Sequence, residues 1–203
     1  MSVLLAPLFM VIGYLVGTVP TGWLVARAHG VDIQQVGSGN IGATNVLRAL
    51  GVWPALLVGL MDPVKGALAT LLPLALGMDG WTVALTGMAT VLGNDFNVFL
   101  RLRGGKGIAT TLGVFLVVNP AVALVAVVLG VLTIALGRYV SLGSLVGMAS
   151  APLFLLASGT YAPPDLALGI VLMLLAFAQH RENVRRLAKG TERRLGAPRP
   201  PRA

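Results

Sequence analysis

All 15 Lys and Arg residues of this 203-residue chain fall in four patches, separated by nearly continuous apolar sequence. The first patch holds Arg27 and Arg48, with Lys65 a short way into the next apolar run. The second holds Arg101, Arg103 and Lys106, and the third is Arg138 alone. The fourth runs from Arg181 to Arg202 and contains the other eight. The connections near residues 77–80, 119–120 and 158–165 contain neither Lys nor Arg. In a chain that weaves through a bilayer this alternation is the positive-inside pattern, with every cationic group at the cytoplasmic face. The first two patches are also rich in glycine, an arrangement suited to holding an anion at that face.

Composition narrows the class. With 56% hydrophobic and 11% charged residues, the chain is neither disordered nor built like a soluble domain. The net charge of +8 does not indicate nucleic-acid binding, because the basic residues are confined to short loops between apolar runs. The absence of cysteine excludes disulfides and thiol catalysis. Two histidines and scattered carboxylates give no metal-ligand spacing, so neither metal nor cofactor is expected. The N-terminal apolar run lacks a basic start and reads as a retained span rather than a cleaved signal.

The expected fold is an all-α integral membrane protein with seven transmembrane helices. The candidate spans are residues 3–26, 53–76, 81–92, 108–118, 121–136, 142–157 and 166–179. Trp23, Trp53, Trp81, Tyr139 and Tyr161 lie near their ends, where interfacial aromatics belong. An odd count with the basic patches inside puts the N-terminus outside and the C-terminus in the cytoplasm. The third and fourth spans are short of the roughly 20 residues a crossing needs. Either they borrow from residues 94–107 or that segment re-enters the membrane, where its backbone must line protein or a wet cavity. Residues 1–190 form a single membrane domain, and 191–203 a basic, Pro-rich tail expected to be mobile at the anionic lipid surface.

Four stretches carry chemistry. In the first, 37–48, Gly37, Gly39 and Gly42 allow positive φ and an anion nest of backbone N–H groups. Ser38, Asn40, Thr44 and Asn45 add polar groups, and Arg48 adds a fork matched to two phosphate oxygens. The same text also reads as a polar connector with a helix N-cap at Thr44 or Asn45. In the second, Gly104, Gly105, Lys106 and Gly107 open an apolar helix whose N-terminus favours an anion, although the Walker A spacing is absent. Topogenic charge alone is the other reading. In the third, Asp62 and Lys65 are three apart on one helical face and read as an internal pair. The fourth joins Ser144, about one turn inside the cytoplasmic end of its span, to His180 and Asn183 at i,i+3.

The stretches 37–48, 62–66, 103–110, 138–144 and 180–192 resemble, in order and over nearly the whole chain, the bacterial acyl-phosphate:glycerol-3-phosphate acyltransferases, the PlsY family of integral membrane enzymes. The resemblance implies seven helices, an outside N-terminus and a bacterial inner-membrane enzyme with its active site facing the cytoplasm. It implies that the glycerol 3-phosphate hydroxyl attacks a long-chain acyl phosphate drawn from the lipid, giving lysophosphatidic acid and phosphate, the first step of phospholipid synthesis. Matched by position, Ser38, Arg48, Lys106 and His180 are the expected catalytic groups. Gly37, Asn40, Asn45, Gly104, Gly105, Gly107, Ser144 and Asn183 are the expected substrate-binding groups, and Glu182 falls in the same signature. The chain departs from the family at Gly93-Asn94, where Gly-His is usual, so a hydrogen-bonding rather than a proton-transfer role is expected there. Ile41 stands where Pro is frequent.

The chain has no HxxxxD segment, since Gln34 and Arg185 stand five residues after His29 and His180. Two anion cradles without a His–Asp pair suit a donor whose leaving group is phosphate. The alternative reading is a transporter or channel for a phosphorylated solute. It needs polar groups through the midplane, and the lack of an internal repeat counts against it.

Overall fold

The structure, a computed structural model, describes residues 2–197. Its regular elements there are ten helices: α1 Ser2–Gly17, α2 Thr21–Ala28, α3 Ala43–Leu50, α4 Val52–Ala75, α5 Gly80–Asp95, α6 Ile108–Val118, α7 Pro120–Gly137, α8 Val140–Ser158, α9 Pro163–Gln179 and α10 Arg181–Ala188. There are also two short 3₁₀ turns, and no strand among the described residues. Five stretches are long and apolar enough to cross a membrane: Leu4–Ala28, Val52–Ala75, Gly80–Leu100, Pro120–Gly137 and Val140–Ser158. A sixth is added if α9 and α10, bent by 63°, form one span. Helix α6 has 11 residues, about 16 Å against the roughly 30 Å of a hydrocarbon core.

Helix α5 is the centre. Its span is 61% buried, whereas the α1–α2 and α7 spans are 22% buried and turn most of their apolar side chains outward. Helices α1, α4, α6 and α9 pack on α5, and α7 and α8 complete the bundle against α6 and α9. One core cluster gathers Val114 and Phe115 of α6 with Leu155 of α8 and Leu168 and Leu172 of α9. A second gathers Ala26, Ile33, Ile41, Val46 and Val58 where α2 and α3 pack on α4. The α1–α5 seam is very close. A Cβ on Gly17 would lie 2.0 Å from the Thr90 carbonyl oxygen, and one on Gly93 would lie 2.1 Å from that of Tyr14.

The first expected span is not one helix. Pro20 has no N–H to continue the ladder, so the chain breaks between α1 and α2. The carbonyls freed at the break are taken up by distant side chains. Asn97 Nδ2 donates to Thr18 O at 2.6 Å and Lys65 Nζ donates to Val19 O at 2.9 Å. Asp62 and Lys65 form the expected internal pair at 2.8 Å. The third span extends to Asp95, and residues 96–107 then fold back on its end.

Gly93→Ala pushes α1 off α5 and is expected to lower stability by about 1–3 kcal/mol. In Gly59→Ala the new Cβ meets only Ala43 Cβ at 3.9 Å, and the stability should be unchanged or raised. Thermal unfolding of both variants in one detergent checks the contrast.

Candidate active site

The first Gly-rich loop is built around Asn45. Its buried amide Nδ2 faces the carbonyl oxygens of Ile33, Val36 and Asn40 at 3.3, 2.8 and 2.9 Å. Its Oδ1 accepts from Ser38 N at 3.1 Å. Gly37 has φ +63°, and a Cβ there would lie 2.3 Å from Asn45 Oδ1. Asn40 is also occupied, its Oδ1 accepting from Gly42 N at 2.9 Å and its Nδ2 reaching Gly104 O at 3.4 Å. These two amides, expected to bind substrate, build the loop: Asn45 has no donor to spare, and Asn40 keeps one N–H. Helix α3 begins at Ala43 with Gly42 as its cap, not at Thr44 or Asn45. The Arg48 guanidinium, carried on α3, makes no hydrogen bond or ion pair among the described residues.

The second loop differs in a similar way from the cradle expected of it. Gly104 N donates to Asp95 O at 3.1 Å and Gly105 N to Asn94 O at 2.8 Å. These amides close the end of α5 and are not free for an anion. Gly107, at φ +70°, turns the chain into α6, and no side chain caps that helix. The amides of its first turn therefore lack intrahelical acceptors and carry the positive end of the dipole. The Thr110 hydroxyl in the same turn is buried without a partner. Gln34 Nε2 donates to Arg103 O at 2.9 Å and fastens the two loops together.

The third side comes from α8, the α9–α10 bend and residues 191–197. His180 sits at the bend with Nδ1 2.8 Å from Ala176 O. That nitrogen therefore carries the ring proton and donates it, and Nε2 presents a lone pair. Lys106 Nζ donates to Asn183 Oδ1. Asn183 Nδ2 and Ser141 Oγ donate to Glu192 Oε1 at 2.6 and 2.7 Å, and Arg186 Nε lies 2.6 Å from Oε2. Ser144 Oγ donates to Val140 O at 2.9 Å.

Residues 191–197 are not a free tail. Besides the Glu192 contacts, Leu195 N donates to Arg138 O at 2.6 Å, and Arg194 Nε donates to Tyr139 Oη at 3.1 Å. The rest of the expected tail, 198–203, lies outside the described residues.

These pieces enclose a cleft with two connected chambers. The inner, of about 270 Å³, is lined by Ser38, Asn40, Asn45 and Arg48, by Gly105, Lys106 and Gly107, and by Ser144, His180 and Asn183. The outer, of about 680 Å³, adds Gly37, Gly104, Arg103 and Arg193. All twelve side chains and glycines singled out in the sequence thus lie on the walls of one cleft. Glu192, Ser141 and Arg186 also line it and were not among them. The one signal for Glu192 was a lone carboxylate within the basic run that follows Asn183.

The cleft is cationic, which moves its own titrations. Burial, with the Arg186 charge, lowers Lys106 to about 8, against the attraction of Glu192 and Asp95. Burial and the charges of Arg193 and Arg186 lower Arg48. Glu192 is held below the usual carboxylate range: burial raises it, but hydrogen bonds from Asn183, Ser141 and Arg186 outweigh that. In such a site the cations outnumber the carboxylates, and an anion that enters it is stabilised.

Comparison with known proteins agrees with this chemistry. The family model described as glycerol-3-phosphate acyltransferase matches residues 7–190. A glycerol-3-phosphate acyltransferase of Thermus thermophilus is 49% identical over 187 residues, covering 92% of this chain and 94% of that protein. Crystal structures of PlsY, an integral membrane glycerol 3-phosphate acyltransferase, superpose in two forms at 42% identity. The glycerol 3-phosphate form has a TM-score of 0.89, covering 94% of this chain and 96% of that one. The lysophosphatidic acid form has a TM-score of 0.87, covering 94% and 95%.

Glu192→Ala removes the acceptor shared by Ser141, Asn183 and Arg186 and releases residues 191–197. Cleavage by trypsin after Arg193 and Arg194 is expected to quicken by about tenfold or more, because proteolysis follows the population of the open segment.

Proposed function

Because this chain belongs to the glycerol-3-phosphate acyltransferase family, we propose that it transfers a long-chain acyl group from an acyl phosphate to the hydroxyl of glycerol 3-phosphate. The products are lysophosphatidic acid and phosphate. The observation that carries the reading is the meeting of an unpaired Arg48 guanidinium with Lys106 and the uncapped start of α6 in one chamber. Both substrates present a phosphate, and the chamber has two cationic supports. Lys106 with the first-turn amides of α6 holds one phosphate, and Arg48 with Ser38 holds the other.

Held this way, the hydroxyl lies against the acyl carbonyl carbon. Orientation of two reactants can supply roughly 7–11 kcal/mol of barrier reduction. The new C–O ester bond forms, the carbonyl–phosphate C–O bond breaks, and phosphate leaves with the electron pair. His180 Nε2 accepts the hydroxyl's hydrogen bond and orients its lone pair, and the departing phosphate takes the proton. The donated hydrogen bonds and the α6 dipole stabilise the oxyanion between these steps. No metal or cofactor enters this scheme.

The same reading sets the topology. The cleft faces the cytoplasm at the bacterial inner membrane, the side to which the charge pattern of the sequence assigns the basic patches. Helix α6, preceded by residues 96–107, completes a count of seven spans, so the N-terminus lies outside and the C-terminus inside. The acyl chain lies along the apolar helices, supplied from the lipid. Solute passage would need polar groups continuing beyond the Asp62–Lys65 level. The buried threonines there, Thr70 and Thr86, spend their hydroxyls on carbonyls of their own helices at 2.8 and 2.7 Å.

Arg48→Ala and Lys106→Ala are each expected to lose about 100-fold or more in kcat/KM while remaining folded. Lys106→Arg should not restore activity, because a planar fork does not fit a point-charge site. In the wild type the KM for glycerol 3-phosphate should rise as pH passes about 8, where Lys106 loses its proton. Near-normal turnover in either alanine variant contradicts the assignment.

A further inference from the structure

Beside the second loop lies a chain of four buried polar side chains, of which Asp62 and Asn94 reach the chamber wall, and none holds a substrate in the scheme above. Lys65 is 7% exposed, and its ammonium reaches Asp62 Oδ1 at 2.8 Å, Val19 O at 2.9 Å and Asn94 Oδ1 at 2.8 Å. Asn94 passes the contact on, its Nδ2 donating to Asp95 Oδ1 at 2.9 Å. Asp95 is 2% exposed, and its Oδ2 accepts no hydrogen bond, although the Gln179 amide faces the carboxylate.

The end of this chain sits directly under the loop that carries Lys106. The backbone carbonyls of Asn94 and Asp95 hold Gly105 N and Gly104 N. A Cβ on Gly105 would lie 2.6 Å from Asn94 Nδ2, and one on Gly107 would lie 3.0 and 3.2 Å from the two Asp95 oxygens. The loop therefore rests on the Asp95 carboxylate with glycine at every point of contact. A buried carboxylate with an unfilled oxygen is costly.

We propose that Asp95 is a positioning residue for the transfer: its carboxylate, held from behind by Asn94 and Lys65, seats the loop 104–107 and so places the Lys106 ammonium in the chamber. The inference rests on the reading that Lys106 binds a phosphate. The charged and titratable groups that act on Lys106 are Arg48 on α3, Asp95 on α5, His180 at the α9–α10 bend, Arg186 on α10 and Glu192 beyond it. Asp95 and Glu192 raise its proton affinity and the two arginines lower it. Glu192 acts on Lys106 the more strongly of the two but also serves Ser141, Asn183 and Arg186, whereas Asp95 lies under the loop itself, with Asn94, Gln179 and the Lys65 charge about it. The Asn94 bridge also explains how this chain can carry Asn in place of the His usual in the family it resembles. A neutral imidazole can accept from Lys65 on one nitrogen and donate to Asp95 from the other.

The test has two readouts on the full-length protein in detergent. The first is the pH at which Lys106 is half-modified by an amine-selective reagent without substrate, followed by mass spectrometry. It should lie near 8 in the wild type and fall by about one unit in Asp95→Asn. The second is steady-state kinetics at pH 8. There the protonated fraction should drop from about a half to about a tenth, so KM for glycerol 3-phosphate should rise about fivefold, with kcat changing less. Asn94→Ala frees the carboxylate and should raise the same KM several-fold, and Asn94→His should bring it back. This pair decides the matter if Asp95→Asn does not fold. An unmoved midpoint in Asp95→Asn, or Asn94→Ala and Asn94→His variants with the same KM, overturns the proposal. Lys106→Ala separates the two levels. If its KM is normal the phosphate reading fails, whereas an unmoved labelling midpoint with Lys106 essential removes only the role of Asp95.

Discussion

The buried ammonium of Lys65 is the contact on which the rest of the architecture depends. A charge in this setting is tolerated only if its donors are filled, and its three acceptors come from three places: Asp62 on α4, Val19 at the α1–α2 break and Asn94 at the end of α5. One group thus compensates the break left by Pro20 and ties the α1–α2 break, α4 and the end of α5 into one unit. Asn97 repeats the device beside it, donating to Thr18 O while its own Oδ1 caps Phe99 N at 3.0 Å. Irregular backbone inside an apolar bundle must find its partners within the protein, and here it does.

That fastening divides the polar residues of the cleft into two kinds. The Asn45 amide and the Gly104 and Gly105 N–H groups are taken up by backbone carbonyls, as is one N–H of Asn40. They set the shape of the chamber. Arg48, the first turn of α6 and the Thr110 hydroxyl are held in place with capacity left over, and face the chamber. Lys106 and Asn183 stand between, joined to each other and through Asn183 to Glu192. A cleft prepared this way needs little rearrangement when an anion enters, which is the condition for electrostatic stabilisation of a transition state.

Much of this was legible in the residues because it depends on charge placement and span length. The fourth span, 108–118, coincides with α6, and the Asp62–Lys65 spacing foretold the ion pair. The cleft-lining residues were legible because Gly-rich loops with Arg48 and Lys106 have few other uses in an apolar chain. What stayed hidden depends on long-range partners. Nothing local says that Asn45 turns inward to three carbonyls, or that the Gly104 and Gly105 amides return to α5. The short helices α3 and α10 were legible only as an alternative N-cap and an i,i+3 spacing, because eight residues give too little periodicity against the spans beside them. Glu192 looked like part of a mobile tail because its partners, Ser141, Asn183 and Arg186, are brought to it only by the α9–α10 bend.

The central claim is that two anion supports, without a His–Asp pair, serve a donor that departs as phosphate. The direct measurement is to give purified protein glycerol 3-phosphate with a long-chain acyl phosphate, acyl-CoA or acyl carrier protein thioester in turn. Lysophosphatidic acid and free phosphate are then followed together. The account predicts equal amounts of both products from acyl phosphate, without added metal, and little product from either thioester. Efficient turnover with a thioester and none with acyl phosphate would contradict it.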